Sequence, residues 1–361
     1  MSLANCKTPY NPPVQNAKQQ FLVVEGFLNG NGSTIITLSR TRNISLGDTA
    51  SHIYEDGANV RVEDNFNNVY PLYNSGNGTY TGSFSMNPSY LFRLHITTSD
   101  HRDYQSDYVS VKQSPPIDQL SWKLTNNDVQ VYANTHDPQN NTHYYRWQYG
   151  ETWEFHSDYY SELKYNPINN TVNPRTDQVY QCWHSDSSTN IILGSSAKLA
   201  EDVINQAPIT IVPFGNKKIS VLYSILVTQY ALDSSGYNYW NAMKSNTEDV
   251  GSIFDPQPNL TKGNIHCITD SMETVIGYIG AGTTQQSRLF ISHADMPNGW
   301  NPLPDCTEKN VTPDSLAYYY EIAGLSPIIY PGPPWGPVFS ATGSCVDCTL
   351  TGTNIKPSFW P

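Results

Sequence analysis

Charged residues and long apolar runs are both scarce in this sequence. Only 14% of the 361 residues are Asp, Glu, Lys or Arg, and the formal net charge is −12. Because phosphate groups and anionic lipids are bound by clustered Lys and Arg, we exclude nucleic acid and anionic membrane surfaces as main partners. No run of 18 or more apolar residues occurs. The sequence therefore predicts no transmembrane helix.

The sequence also lacks the common catalytic and metal-binding motifs. It contains no His-Glu-x-x-His, no Gly-x-Ser-x-Gly and no Gly-rich phosphate loop. Carboxylate pairs such as Glu151 and Glu154 occur, but only a suitable separation in space would make them a glycosidase pair. The Cys345-Val346-Asp347-Cys348 motif has only Cys306 nearby, which does not complete a zinc ribbon. We therefore predict no catalytic residue, no metal and no cofactor, and keep a secreted hydrolase of glycan or peptide as the alternative.

What the sequence does contain is typical of extracellular β proteins. The 25 Tyr, 25 Pro and 23 Gly accompany the low charge, which indicates an all-β fold with few helices. The length favours two domains. We predict a tether over residues 1–20, an immunoglobulin-like β-sandwich over residues 21–115 and a larger sandwich-like β domain over residues 116–361, with two short helices. The Ser114-Pro115-Pro116 break marks the boundary.

The first domain has the clearest strand signals. Residues 21–27 and 33–40 flank an Asn-Gly-Asn-Gly turn and predict a β-hairpin. Further alternating segments at short spacing support the sandwich; they are residues 58–64, 78–84, 90–96 and 104–111.

Residues 218–265 contain the strongest signals of the second domain. Residues 219–227 are apolar on both faces of an extended segment, which predicts a strand covered on two sides. Asp233-Ser234-Ser235 supplies a helix N-cap, and Tyr237, Trp240 and Met243 follow at helical spacing. We expect this helix to end near Val250.

Three other predictions concern the second domain. Ser195-Ser196 precedes Leu199 and Val203 at i, i+4 spacing, which predicts a second helix. Residues 275–281 and 287–292 are expected to pair with each other and to close the second sheet. From Asn298 onward the chain is rich in Pro and Gly, which predicts a strap laid over the domain and not a packed element.

An aromatic segment between residues 147 and 165 is the richest candidate for ligand recognition. Trp153, Tyr159 and Tyr160 alternate there with carboxylates, and aromatic faces beside polar groups suit sugars and peptides. For Trp147 and Trp153 we favour a place in the core over ligand contact. For Tyr159 and Tyr160 both interpretations stay open.

The Phe254-Asp255-Pro256-Gln257-Pro258-Asn259 segment is a second candidate. Its two prolines exclude a helix and favour a rigid loop. One interpretation is a structural latch in which Phe254 is buried and Asp255 accepts backbone hydrogen bonds. The other is a partner-binding loop in which Phe254, Asp255 and Gln257 face the partner.

Cys6 is the candidate site of lipid attachment. Leu3-Ala4-Asn5-Cys6 has the form of the end of a bacterial lipobox, although Asn5 is not the usual small residue. Met1-Ser2-Leu3 has neither a charged nor an apolar leader region, so we expect that a signal peptide, if there was one, has been removed. Acylated Cys6 would anchor the protein to a membrane; the alternative is an ordinary thiol.

Several strings together resemble the domain of unknown function 4249 family. They are residues 6–13, 22–26, 38–41, 144–147, 182–183, 222–232, 239–240, 246–248, 251–258 and 345–348. The resemblance implies an outer-membrane or cell-surface lipoprotein of Bacteroidota. It also implies a binding or accessory role beside a TonB-dependent transporter, as a protein that captures a nutrient at the surface or covers the transporter barrel; the aromatic segment adds a glycan or a peptide as the candidate ligand. The family name itself states that function is not established.

Cysteine parity makes a further prediction. In an exported protein the thiols are expected to form disulfides. If Cys6 carries the lipid, the other five cysteines can form at most two disulfides and leave one free thiol. We favour Cys306 paired with Cys345 or Cys348, Cys182 with the remaining one, and Cys267 as a buried thiol. The competing arrangement joins Cys182 to Cys267.

Lipid attachment at Cys6 is directly testable. Mass spectrometry of the native protein from membranes should show an acylated Cys6 at its N-terminus. Recovery of the native protein as an unmodified soluble form would contradict the prediction.

Overall fold

The computed structural model describes residues 20–42, 53–248, 261–300, 305–332 and 336–361. These residues are mostly β, as predicted. In chain order the strands are β1 (Leu22–Asn29), β2 (Ser33–Arg40), β3 (Ile53–Tyr54), β4 (Asn59–Asp64), β5 (Val69–Gly76), β6 (Thr79–Ser83), β7 (Leu91–Thr97), β8 (Asp103–Ser106), β9 (Val109–Lys112), β10 (Ile117–Thr125), β11 (Asp128–His136), β12 (Tyr144–His156), β13 (Leu163–Asn166), β14 (Thr171–Pro174), β15 (Gln181–Ser187), β16 (Ile192–Ser195), β17 (Val203–Val212), β18 (Leu222–Ala231), β19 (Ile265–Cys267), β20 (Val275–Ile276), β21 (Ala281–Gly282), β22 (Thr284–Ser292), β23 (Glu308–Val311), β24 (Leu325–Ile329) and β25 (Val338–Thr342).

Helices are short in the described residues. The α-helices are α1 (Ser234–Thr247) and α2 (Gly343–Val346). The remaining turns are 3₁₀ at Lys217–Ile219, His293–Asp295, Pro313–Ser315 and Cys348–Leu350, and π at Tyr318–Ile322. None of the described helices has the length and apolar character needed to span a membrane.

The chain divides into two compact units, and the first is built from two separate stretches. It comprises Met1–Gln113 and Ser234–Thr284, whereas the second comprises Ser114–Asp233 and Gln285–Pro361. The second domain expected from the sequence is therefore interrupted: the stretch that contains α1 and β19 to β21 belongs with the first unit.

The main sheet of the first unit closes on itself. Eight strands form the ring in the order β7-β4-β5-β6-β2-β1-β21-β9, and β9 pairs again with β7. The β1–β2 hairpin has the predicted antiparallel pairing, with Leu22 opposite Arg40. Ring closure is a feature that the alternating pattern alone does not predict.

The predicted pairing of residues 275–281 with residues 287–292 is wrong. β20 and β21 instead run parallel to β1, and β21 also runs parallel to β9, while β22 pairs with β18. The reason is burial: Val275, Ile279 and Ala281 pack into the core of the first unit.

Glycine permits this close insertion. A Cβ added to Gly282 would lie 2.2 Å from the Lys112 carbonyl oxygen. At Gly277 the φ angle is +146° and a Cβ would lie 2.2 Å from the Val24 carbonyl oxygen. Any larger residue at either position would push the returning segment away from its neighbours.

A buried carboxylate anchors the returning segment. The Glu273 side chain is fully buried, and its Oε2 lies 2.8 Å from Arg102 Nη1 while its Oε1 lies 3.6 Å from Arg40 Nη1. The Tyr104 hydroxyl donates to Glu273 Oε1 at 2.8 Å. Burial and this hydrogen bond raise the pKa of Tyr104 to about 12. Glu273 therefore links the inserted segment to β2 through Arg40 and to β8 through Tyr104 and the preceding Arg102.

The second unit contains the predicted central strand. β18 lies between β12 and β22 in a five-stranded sheet whose other strands are β15 and β16. A three-stranded sheet of β10, β11 and β17 shares its core. The buried Gln229 of β18 accepts from Trp147 Nε1 at 2.9 Å and donates to the Pro115 carbonyl at 2.8 Å. Its buried amide is therefore satisfied at both ends.

The second predicted helix is wrong, whereas the first exists and ends at Thr247. Tyr237, Trp240 and Met243 of its predicted stripe are half-buried, and the expected end near Val250 lies outside the described residues. α1 begins at Ser234 and buries Tyr239. Ser196 does not cap a helix, because its hydroxyl donates to the buried Asp202 and its N–H donates to the His143 carbonyl. Val203 instead begins strand β17, and Leu199 is exposed.

The predicted C-terminal strap is wrong for much of its length. β23, β25 and β24 form a three-stranded sheet, and Val311, Leu325 and Val338 pack with Leu163 and Val172 of the β13–β14 hairpin. Enough apolar residues alternate with the prolines to give these strands a core of their own.

A strap does exist closer to the C-terminus. Thr353 forms a β-bridge with Trp183, and Trp360 Nε1 donates to Glu154 Oε2 at 2.9 Å. Trp360 is buried, so the last residues add apolar contact area to the second unit.

Removal of the Glu273 carboxylate should destabilise the first unit. Glu273→Ala removes the acceptor of the buried Tyr104 hydroxyl and one carboxylate partner of Arg40 and Arg102. Because Arg40 keeps Glu55 at 2.9 Å and Arg102 keeps Asp100 at 3.2 Å, we expect a loss of about 1–3 kcal/mol in the free energy of unfolding. Urea titration followed by tryptophan fluorescence and circular dichroism measures the loss. Glu25→Ala, at an exposed glutamate of β1, is the control and should change stability by less than about 0.5 kcal/mol. Equal effects of the two substitutions would contradict the anchoring role.

Candidate functional site

A surface pocket in the second unit is the candidate site. It has a volume of about 350 Å³ and is lined by residues 160–162 and 175–180. These residues are the connections that lead from β12 into β13 and from β14 into β15. The pocket therefore lies beside the β13–β14 hairpin, at the end of the five-stranded sheet that contains β12 and β15.

Two tyrosine rings, Tyr160 and Tyr180, line this pocket, and the His156 ring packs on one of them. The Tyr160 and Tyr180 ring centroids are 5.5 Å apart in an edge-to-face arrangement, and His156 stacks on Tyr180 at 4.6 Å. Tyr160 is 66% exposed. An exposed ring that is held in place by contact with a second ring is suited to contact with a ligand.

Arg175 organises the floor of the pocket. Its Nε donates to Ser161 Oγ and to the Leu163 carbonyl, both at 3.1 Å. Ser161 Oγ in turn donates to the Pro327 carbonyl at 2.8 Å. Because the Arg175 side chain is only 7% exposed, its charge supports the pocket walls and does not project into solvent.

Asp177 is the carboxylate at the rim. Its Oδ2 lies 3.1 Å from Lys164 Nζ and 3.3 Å from Arg175 Nη1. Partial burial raises the pKa of Asp177, but the Lys164 hydrogen bond and the Arg175 charge outweigh it, so the pKa is lowered. Asp177 is therefore an anionic acceptor at neutral pH.

Two disulfides hold the pocket walls. Cys182 is bonded to Cys348, and Cys306 to Cys345, which is the arrangement predicted from cysteine parity. The Cys348 N–H donates to the Val179 carbonyl at 2.9 Å, and the Tyr159 N–H donates to the Cys345 carbonyl at 3.0 Å. Each wall is therefore attached to a covalently fixed segment.

Cys267 is the one free cysteine in the described residues, and it is buried in β19 as predicted.

The predicted aromatic residues differ in their environments. Trp147 is fully buried, which confirms its place in the core. Trp153 is half-buried, with the His184 ring 4.6 Å away and the Lys218 ammonium 5.0 Å from its centroid. The Tyr159 ring packs edge-on against Phe339 at 5.7 Å and its hydroxyl donates to Glu308. Among Trp153, Tyr159 and Tyr160, only Tyr160 lines the described pocket.

Other predicted residues lie outside the described ranges. These are Cys6, with residues 1–19 of the predicted tether, and Phe254, Asp255 and Gln257 of the Pro-rich loop.

Glu151 and Glu154 do not form a carboxylate pair. They are three residues apart on β12, so their side chains point to opposite faces of the sheet. Glu151 contacts Lys218 and accepts from the Tyr223 hydroxyl at 2.8 Å, and burial followed by the Glu151 charge raises the pKa of Tyr223. Glu154 accepts from Gln181 Nε2 at 2.6 Å on the other face. Both carboxylates support packing of the sheet.

One cluster of the described residues has metal-ligand types. Asp158, Cys306 and Cys345 place potential ligand atoms within 4.8 Å of one another. The two sulfur atoms are bonded to each other, so neither is the thiolate that zinc requires.

Sequence reasoning missed Arg175, Asp177 and Tyr180. A local signal was available for Tyr180, which lies two residues before Cys182 in an aromatic stretch. No local signal indicates that Arg175 faces Ser161, because their contact depends on how the β13–β14 hairpin folds back.

The sequence model of the family described as Domain of unknown function (DUF4249) matches residues 7–288. The chain belongs to the DUF4249 family. No curated protein matches the chain. Both walls of the pocket lie inside the region that the DUF4249 model matches, whereas Cys306, Cys345 and Cys348 follow it.

The disulfides of this DUF4249 protein can be mapped without reduction. Proteolysis under non-reducing conditions should release a Cys182–Cys348 peptide and a Cys306–Cys345 peptide. Cys267 should react with an alkylating reagent only after unfolding, because it is buried. A Cys182–Cys267 peptide, or rapid alkylation of Cys306 in the native protein, would contradict the assignment.

Proposed function

We propose that this protein is a lipid-anchored binding protein of the outer membrane or cell surface, and that it serves as an accessory component of a TonB-dependent nutrient uptake system. The observation that carries the binding role is the Tyr160–Tyr180 pocket, with its exposed ring 5.5 Å from the supporting ring. A lipid anchor at Cys6 would keep this pocket at the membrane. The ligand is a glycan or a peptide.

The construction of the pocket supports binding. Its walls are attached by backbone hydrogen bonds to segments that carry Cys345 and Cys348, and Arg175 joins both walls through Ser161. A preformed site loses little conformational entropy when a ligand binds. Little of the favourable interaction free energy is then lost to ordering of the pocket walls.

The volume and polarity of the pocket also suit a small ligand. About 350 Å³ lies at the lower end of the range of small-molecule sites. One sugar unit or one side chain of a larger molecule fits this space, so the pocket would hold the end or a branch of a polymer.

Tyr160→Ala should weaken ligand binding. The substitution deletes the exposed ring on which the ligand stacks, and we expect affinity to fall about tenfold or more, equivalent to at least about 1.4 kcal/mol. Glycan and peptide arrays probed with the wild-type protein identify ligands, and titration calorimetry measures their affinities.

Tyr73→Ala is the matched control. Tyr73 is 69% exposed and belongs to the first unit, so its loss should leave affinity unchanged. Unchanged melting temperatures would show that both variants are folded. Equal affinity of Tyr160→Ala and wild type for every ligand found would reject the pocket as the binding site.

A further inference from the structure

Strand β22 forms one edge of the five-stranded sheet in the second unit, where it pairs with β18 alone. In the described part of the chain, no group outside this sheet forms a hydrogen bond with the backbone N–H or C=O groups of residues 285–291. Residues 285–290 are all at least partly exposed. The strand therefore presents a row of backbone donors and acceptors along its outer edge.

The other edge strands described in the second unit carry features that hinder the addition of a strand. Prolines interrupt β14, β17 and β24 at Pro174, Pro208 and Pro327. A register shift and Lys123 disturb β10, and Thr353 already bridges β15. Strands β13, β16 and β23 are each only four residues long. In contrast, β22 has nine residues, no proline and a single charged residue.

The charged residue of β22 is Arg288, which is half-buried. Its Nη1 donates to Ser224 Oγ at 2.8 Å, and its guanidinium carbon lies 3.7 Å from the centroid of the Phe359 ring. It forms no ion pair with any Asp or Glu in the ranges that the structure describes, and burial lowers the pKa of Arg288. A guanidinium has five N–H donors, so donors of Arg288 other than the one on Ser224 can bind a carboxylate.

Arg288 does not protect the edge of β22 in the way that a charged side chain on an edge strand often does. Such a charge projects into the space that an added strand would occupy. The hydroxyl of Ser224, which Arg288 contacts, belongs to the neighbouring strand β18 and is buried. The guanidinium therefore lies back over the face of the sheet, where its positive charge would be beside an added strand.

We propose that β22 is a docking edge for an extended, acidic peptide segment of a partner protein. The segment adds to the sheet as a strand beside β22 and places an Asp or Glu opposite Arg288. Backbone hydrogen bonds supply most of the affinity, and the charge pair sets the register and the preference for an acidic segment. The docking edge shares no residue with the Tyr160–Tyr180 pocket, so this inference goes beyond the proposed function.

A second copy of this chain fits the docking edge less well. Two β22 strands paired antiparallel about Arg288 would place two guanidinium groups opposite each other, and like charges in that position destabilise a sheet. Size-exclusion chromatography with light scattering should therefore show a monomer. A dimer whose formation slows hydrogen exchange in residues 285–291 would overturn the assignment of a peptide partner.

Matched peptides of the same length as β22 test the docking edge. They alternate Thr and Val, carry Glu, Gln or Lys at the central position, and are titrated by fluorescence anisotropy. We expect the Glu peptide to bind about fivefold more tightly than the Gln peptide and the Lys peptide to bind most weakly. The Glu peptide should also slow amide hydrogen exchange in residues 285–291. No binding of any peptide up to about 1 mM, or unchanged exchange in this strand, would overturn the proposal.

Backbone methylation separates strand addition from simple charge attraction. Successive residues of a strand direct their N–H groups to opposite edges, so alternate N–H groups of the added peptide face β22. Two versions of the Glu peptide, N-methylated at either the odd or the even positions, should therefore differ at least about tenfold in affinity. Equal affinity of the two versions would show that the peptide is not held as a strand.

Charge reversal tests the role of Arg288. Arg288→Glu should reverse the preference, so that the Lys peptide binds about fivefold more tightly than the Glu peptide, and Arg288→Gln should remove the preference. Lys123→Gln, which removes the cation of edge strand β10, is the matched control and should change neither affinity. Unchanged melting temperatures would show that the variants are folded. A preference for the Glu peptide that persists in both Arg288 variants would overturn the proposal.

Tyr160→Ala separates this inference from the proposed function. The substitution should leave the affinity of the Glu peptide unchanged, because Tyr160 belongs to the pocket and not to β22. If peptide binding is lost in Tyr160→Ala and kept in Arg288→Glu, the peptide occupies the pocket. The docking edge is then rejected and the proposed binding role of the pocket stands.

Discussion

The segment from Gly280 to Thr283 supplies the backbone hydrogen bonds that join β1 to β9, and the organisation of the chain depends on these bonds. Leu28 and Gly30 of one neighbour donate to the Gly280 and Gly282 carbonyls at 2.9 and 2.8 Å, and Thr283 donates to the Lys112 carbonyl at 2.9 Å. An open gap between β1 and β9 would leave unpaired polar groups at two strand edges. β21, which fills this gap, comes from far along the chain. Residues 114–233, which lie in the sequence between the two stretches of the first unit, belong to the second unit.

The second unit uses covalent bonds where the first uses a buried ion cluster. Its C-terminal three-stranded sheet, β23-β25-β24, has a limited core, and a small core gives little stability by itself. The Cys182–Cys348 disulfide attaches the C-terminal region to β15, and the Cys306–Cys345 disulfide closes a loop within that region. Constraint of the unfolded chain is the usual source of such stabilisation. The pocket gains rigidity from the same bonds, since Val179 and Tyr159 are hydrogen-bonded to cystine residues.

Carboxylates occupy contrasting environments in this molecule, and the contrast separates structural roles from the candidate binding role. Glu273, Glu151 and Glu154 are buried and accept hydrogen bonds from neighbouring side chains. Asp177 and Glu162 are exposed at a pocket beside an accessible tyrosine ring. A buried carboxylate that is already bonded stabilises the fold, whereas an exposed one with a free oxygen is available to a ligand.

The sequence by itself determined those features that depend on local chemistry. Alternation and turn residues predicted the β1–β2 hairpin, and two-sided apolarity predicted β18. Cysteine parity and loop length predicted that Cys306 and Cys182 each pair with one of Cys345 and Cys348 and that Cys267 is a buried thiol, and the structure decided which pairs form. Only the tertiary structure decided where β21 pairs, because a two-residue strand is too short to show a period. It also decided that Ser196 joins a buried polar network and caps no helix, and that Arg175, Asp177 and Tyr180 meet Tyr160. These contacts arise between segments whose approach depends on long-range packing, and no local residue pattern encodes that approach.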